Sequence, residues 1–338
     1  MTMRMQDIAR RLGISAMTVS RALKSDSSVA PTTRAAVLKA IEELGYVPNQ
    51  IAGSLSSRRS GFAAVLVPSL NNPHFSETVL ALGSALQARG MQLLIGNTEY
   101  DRRKEAELVR ALLARKPEAI ILTSDGHDPQ ILPMLAKAKI PVVEIWDLPA
   151  RPIQHVVGFS NQLAMRGLIT ALIAQGYSRI TYLGEADDAD TRGASRRLGY
   201  CEAMAEAGLG PRLCSIGRPP ATMSDGERGL DTVLSAFPDT ELVACVSDPL
   251  AFGVIAACQR RGWVVPGRLA VSGFGDFEIA RIGVPAITTV QIDAGQIGRE
   301  AGAIIDEAFD ALRDQPLAPV IRPVPALPCL RASTARAG

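Results

Sequence analysis

Met5 to Leu23 reads MQDIARRLGISAMTVSRAL, and the spacing of its apolar residues decides the plan of the N-terminal region. Ile8, Ala9 and Leu12 recur at helical period, on one face of a short helix. Gly13 ends that helix where left-handed backbone is least costly. Ser15 stands where a hydroxyl can accept a bond from a backbone N–H two or three residues on. Val19, Ala22 and Leu23 then repeat the apolar spacing in a second helix. Two short helices joined by a tight glycine turn make a helix-turn-helix. The second helix presents Ala16, Met17, Thr18, Ser20 and Arg21 outward. A guanidinium, two hydroxyls and small or apolar groups suit phosphates, base edges and a thymine methyl. The same spacing also fits an ordinary helical hairpin, so the flanking sequence has to discriminate.

Beyond it, Thr32 to Leu44 reads as a third helix with Val37, Leu38, Ile41 and Leu44 on its apolar face and Gly45 at its end. Its start is weakly marked, because Ala30 stands where a capping hydroxyl is expected. Asn49 to Ser57, NQIAGSLSS, is Ser-rich and shorter than the ~12 residues an isolated helix needs. With Arg58-Arg59-Ser60-Gly61 it reads as a linker. Residues 1–60 carry nine Lys+Arg against four Asp+Glu, a balance of +5, and the remaining residues carry 27 against 30, a balance of −3. A basic head on a mildly acidic body is expected to meet a polyanion.

From Phe62 the pattern changes. FAAVLVP, MQLLIGN, EAIILTS, PVVEIW and HVVGFS are apolar runs of strand length, followed by RITYLG, RLCSIG, ELVACVS, RLAVSGFG and AITTVQI. Amphipathic helices lie between them, Ser76–Arg89, Lys104–Leu113, Gly199–Glu206 and Ala251–Arg260 among them. Strands alternating with helices imply parallel sheets buried on both faces. Hydrophobic residues make up 47% of the 338 and aromatics 4%, so the core is expected to be aliphatic. The segment is too long for one small sheet and predicts two doubly wound lobes, with ligands at the carboxyl ends of the strands in the cleft between them. The expected division is a head over 1–48, a linker over 49–61 and an α/β body over 62–338. Its lobes span roughly 62–158 with 290–320, and 159–289 with 321–333.

Other classes fit less well. No GxxxxGK[ST], GxSxG or HExxH occurs, and Gly273-Phe274-Gly275 is only a fragment of a dinucleotide loop, so no enzyme and no cofactor are expected. The five cysteines show no CxxC spacing, and His74, His127 and His155 form no metal-spaced pair. Met1–Arg11 is charged and lacks the apolar stretch of a signal peptide, and no run approaches the ~20 residues of a membrane span. A reducing cytoplasm is the expected location, with no membrane partner, which argues against a transport binding protein.

DIARRLGISAMTVSRAL, VLKAIEELGYVPNQIAGSL and VSGFGD together resemble the lactose-repressor (LacI/GalR) family of bacterial transcription regulators over essentially the whole chain. The resemblance implies a three-helix DNA-binding head, a hinge that becomes helical on operator DNA, and a sensor built like a periplasmic sugar-binding protein. It also implies a homodimer on a near-palindromic operator, consistent with half-site geometry. By resemblance, Ala16, Met17 and Arg21 take base-reading positions, and Thr18, Ser20 and Asn49 contact phosphates. Leu55 matches the leucine that wedges into the minor groove, with Ala52 beside it, unless it is simply a minor core residue under a linker. The ending PCLRASTARAG shows no heptad of leucines, so a dimer rather than a tetramer is expected.

Within the family, VPSLNNPHF, PVVEIWD, VGFSNQLA and YLG…GYCEAM most resemble gluconate-type repressors. The chain departs from the sugar-binding members at three places. Trp146, with Asp147 next, stands where an Asp is common; Ser247-Asp248 replaces Asn-Asp; and Gly275, with Asp276 next, replaces an acidic residue. Fewer pocket carboxylates favour an anionic ligand. Arg196 matches the family's ligand-binding cation and its fork suits a carboxylate, though the basic pair Arg196-Arg197 also fits a solvated charge. Ser69, Asn71 and Phe75 follow the first strand at the cleft. Trp146 either stacks on a polyol or packs, and Asp248 either faces the pocket or caps a helix beginning near Leu250. The expectation is a repressor of sugar-acid utilisation genes, released by a gluconate-like inducer. The alternative is a regulator of another carbohydrate pathway that answers to a neutral sugar or a phosphorylated ligand, as inducer or corepressor.

Overall fold

A computed structural model of the chain describes residues 4–23, 28–46, 60–124, 126–185, 191–311 and 317–336. The chain divides into two compact units, Met1–Ser60 and Gly61–Gly338.

The first unit contains α1 (Met5–Leu12), α2 (Ala16–Leu23) and α3 (Pro31–Leu44). Gly13 adopts φ 66°, a left-handed turn that glycine enters without steric cost. The Ser15 hydroxyl accepts from the Thr18 backbone N–H at 3.1 Å, as its position predicts. Ile8, Ala9, Val19, Ala22, Val37, Ala40 and Tyr46 form the core. Leu38, expected on the apolar face of α3, is 49% exposed, and Ala40 takes the buried place. Ala30 provides no side-chain cap for α3, and Pro31 at the first helical position sets the backbone instead.

The second unit carries two parallel sheets. The first runs in the order β11-β5-β4-β3-β1-β2, from β1 (Phe62–Val67), β2 (Gln92–Asn97), β3 (Ile120–Thr123), β4 (Val142–Ile145), β5 (His155–Gly158) and β11 (Ile321–Pro323). The second runs β7-β6-β8-β9, from β6 (Ile180–Gly184), β7 (Leu213–Ser215), β8 (Leu242–Cys245) and β9 (Ala270–Ser272). Every pairing within these sheets is parallel. Most of their strand residues are buried, as parallel strands covered on both faces require.

Two expectations need correction here. AITTVQI forms β10 (Thr289–Ile292), which pairs antiparallel with β12 (Ala326–Cys329) and meets the end of β9 and the residues after it only through two isolated parallel bridges, Ser272 with Thr288 and Gly275 with Gln291. Residues 321–323, assigned to the second lobe, add β11 to the edge of the first sheet against β5. The prolines of IRPVPALPC hide both strands, because proline cannot donate to a ladder and reads as a strand breaker. At an edge it is tolerated.

The helices that position the cleft are α4 (Pro73–Gln87), α7 (Asn161–Ala174), α8 (Arg192–Glu206) and α10 (Asp248–Arg260). Asn72 caps α4 and Thr191 caps α8. α8 therefore starts seven residues before the Gly199 that its apolar pattern suggests, and this extra length carries Arg192 and Arg196. Among the described residues no helix is long and apolar enough to cross a membrane, and no group of three His, Cys, Asp or Glu could hold a metal ion.

Candidate functional site

In the first unit, α2 presents Met17 at 64% exposure, with Arg21 also exposed and Thr18 and Ser20 half-buried. Ala16, expected to face outward, is half-buried and packs on the head core. The Thr18 hydroxyl is paired with the Ser15 hydroxyl at 2.9 Å. Asn49, Ala52 and Leu55 lie outside the described residues.

In the second unit, a cleft of about 630 Å³ lies between the lobes, within the size range of small-molecule sites. Ser69, Asn71, Phe75, Trp146, Arg196 and Ser247 all line it. It collects residues from the ends of β1, β4, β6, β8 and β9, the carboxyl ends where open α/β sheets bind ligands.

Arg196 is fixed from three sides. Its Nε donates to Asn161 Oδ1 at 2.9 Å, one Nη donates to the Val246 carbonyl at 3.0 Å, and its guanidinium carbon lies 4.0 Å from the centre of the Phe274 ring. Burial, and then the charge of Arg192, hold its pKa below the ordinary guanidinium value, although an arginine stays charged. Among the described residues no carboxylate forms an ion pair with Arg196. The solvated-charge reading therefore does not hold.

Trp146 is 3% exposed and lies edge-on to Phe75, with ring centres 5.4 Å apart. Its backbone is left-handed at φ 78°, and Asn161 Nδ2 donates to its carbonyl at 3.0 Å. Among the described residues its indole Nε1 has no partner, and neither has the Ser247 hydroxyl. Trp146 thus packs in the cavity wall, with its indole Nε1 buried and unpartnered among the described residues.

The three carboxylates expected at the site are engaged elsewhere, and none lines this cavity. Asp147 accepts from the Leu148 and Asn161 backbone N–H groups at 2.9 and 3.4 Å. Asp248 accepts from Thr289 Oγ1 at 2.7 Å and from the Phe277 N–H at 2.8 Å, so it neither faces the cavity nor caps the helix by a side-chain bond. Burial pushes its pKa up to about 6, against the pull of those hydrogen bonds. Asp276 pairs with Arg331 at 2.7 Å and lines an adjoining cavity. The cavity is still not free of acid, since Glu185 and the exposed Glu278 line it.

Sequence reasoning missed Arg192, Asn161 and His74. Arg192 is buried, lines the cavity and holds its guanidinium carbon 5.1 Å from the centre of the Phe75 ring. Its spacing of four from Arg196 would have placed both on one helix face, had the start of α8 been read correctly. His74 contacts Phe277 with ring centres 4.0 Å apart, and burial lowers its pKa to about 4, so it is neutral.

Comparison with known proteins follows the same division. Residues 4–49 match the model for bacterial regulatory proteins of the lacI family, and residues 169–334 match the periplasmic binding protein-like domain. The HTH-type transcriptional regulator GntR of Escherichia coli K12 is 34% identical over 87% of this chain and 88% of its own. The chain belongs to the LacI family. It is thus a DNA-binding transcriptional regulator and not an enzyme. A LacI-family protein from Silicibacter pomeroyi matches 99% of this chain and 100% of its own with 29% identity and a TM-score of 0.91. The lac repressor dimer bound to operator and the anti-inducer ONPF has the same fold, with 21% identity, 99% of this chain and 100% of that chain covered, and a TM-score of 0.82. The LacI-family assignment accounts for both units, the DNA-binding head and the two-lobed sensor.

Proposed function

We propose that this LacI-family regulator is a repressor whose effector is a small sugar acid, gluconate or a close relative, bound with its carboxylate on Arg196. The carrying observation is the Arg196 guanidinium, held in the cleft by Asn161, Val246 and Phe274 and paired with no carboxylate among the described residues. A buried guanidinium recognises a planar carboxylate through parallel N–H bonds. Trp146 in the cavity wall supplies an aromatic surface, which suits the carbon face of a polyol. The gluconate-type phrases in the sensor and the similarity to GntR support the same ligand class.

On the DNA side, Ala16, Met17 and Arg21 read base edges, and Thr18, Ser20 and Asn49 hold phosphates. Ala52 and Leu55 enter the minor groove as part of the hinge. A homodimer places two heads on a near-palindromic operator, and effector binding favours the lobe arrangement that releases it. The test is calorimetry with gluconate and glucose side by side, followed by operator release. Gluconate binds and releases the operator, and Arg196→Ala weakens it by ~1.5–3 kcal/mol and abolishes release. Equal affinity for the two sugars, or undiminished gluconate binding by Arg196→Ala, overturns the carboxylate reading.

A further inference from the structure

Arg192 and Arg196 lie one turn apart on α8, and each lays its guanidinium on a phenyl ring. The two rings belong to different lobes. Phe274 follows β9 in the second lobe, the lobe of α8 itself. Phe75 sits in the first turn of α4, in the first lobe. Separating the lobes therefore leaves Arg196 on Phe274 but must pull Arg192 off Phe75. Phe75 is buried and meets Trp146 edge-on, and Trp146 lines the cleft with an unpartnered N–H. A second contact joins the same pair of lobes beside it, His74 against Phe277 at 4.0 Å between ring centres.

We infer that Arg192 is a positioning residue that ties occupancy of the cleft to lobe closure by clasping Phe75 across it. The inference rests on the proposed effector site. A ligand can shift closure only by its differential affinity for the closed state. A contact made only in the closed state raises the fraction of closed protein, and with it the apparent affinity. A guanidinium over a phenyl ring is attracted by the ring quadrupole, more strongly when desolvated, as here. Phe75, Trp146 and Arg192 all line the cavity, so an effector held there meets the clasp at the cavity wall.

A double-mutant cycle on the full-length chain tests the clasp, with Arg192→Gln, Phe75→Leu and the pair. Gluconate affinity is read by calorimetry. Each single variant is expected to lose about 10-fold, and the double variant no more than the larger single loss, because both remove one contact. Additive losses would mean that Arg192 acts on the effector by its own charge, and would overturn the clasp.

The second readout needs no effector. In a Trp263→Phe background Trp146 is the sole tryptophan, and acrylamide quenching of its emission reports cleft opening. Quenching is expected to rise in Arg192→Gln, which also serves should Phe75→Leu fail to fold. Unchanged quenching in a folded Arg192→Gln protein overturns the clasp whatever the effector is. Absence of gluconate binding to the wild type, with raised quenching in the variant, overturns the sugar-acid reading and leaves the clasp standing.

Discussion

Asn161 joins Arg196 to Trp146: its Oδ1 accepts from Arg196 Nε at 2.9 Å and its Nδ2 donates to the Trp146 carbonyl at 3.0 Å. One fully buried amide at the start of α7 thus holds the site's cation and its aromatic wall in register. Asn161→Ala leaves both partners without it, and an unsatisfied buried group costs ~1–3 kcal/mol. Effector affinity should fall about tenfold, since ~1.4 kcal/mol is a factor of ten. Asn161→Asp should weaken a sugar acid further, because a carboxylate beside Arg196 competes with the ligand's own. Calorimetry on the three proteins checks the order, and an Asp variant that binds as well as wild type would count against carboxylate recognition.

Gly275 has φ 128°, and a Cβ there would lie 2.6 Å from the Phe277 ring and 3.0 Å from His74 Nε2. Both the backbone conformation and the close approach exclude a side chain. Gly275→Ala is expected to cost ~1–3 kcal/mol of stability by local strain. Denaturant unfolding measures this, and a wild-type midpoint would show that the loop relaxes freely.

His127 bonds Glu105 at 2.7 Å and lies 3.3 Å from Glu144. Burial by itself lowers its pKa, but the two carboxylates outweigh burial and raise it to about 9. Between the ordinary value of 6.5 and about 9 the folded protein binds a proton that the unfolded chain releases. The stabilisation is therefore complete below pH ~6.5 and is lost as pH rises through about 9. Thermal unfolding across this window should show the decline, and His127→Gln should flatten it. A wild-type midpoint independent of pH from 6.5 to 9 would refute the assignment.

Arg21 is exposed on α2 and is proposed to read a base edge. Arg21→Ala should then cost ~1–3 kcal/mol and relax sequence preference at one position. A uniform loss on all sequences, with the salt slope reduced by about 1, would make it a phosphate contact instead.

Leu55 is proposed to wedge into the minor groove. Leu55→Ala should weaken specific operator binding by at least ~1 kcal/mol and reduce bending, because the kink and its contacts are lost together. Operator bending assays decide, with unchanged affinity and bending counting against the hinge assignment.

The sequence by itself determined the head, its glycine turn and serine cap, and the alternation of strands and helices. These are local signals, written in periodicity and turn chemistry; the cleft position of Arg196 was legible only through the family resemblance. Tertiary structure decided which polar groups are available. Asp147, Asp248 and Asp276 all sit one residue from positions of interest, yet packing turns each onto backbone N–H groups, Thr289 or Arg331. Likewise β11 and β12 exist because neighbouring strands supply partners at an edge, against the local preference of their prolines. The contact of Arg192 with Phe75 joins residues more than a hundred positions apart in the chain. No local pattern encodes it, because it forms only when two separately wound lobes close on each other.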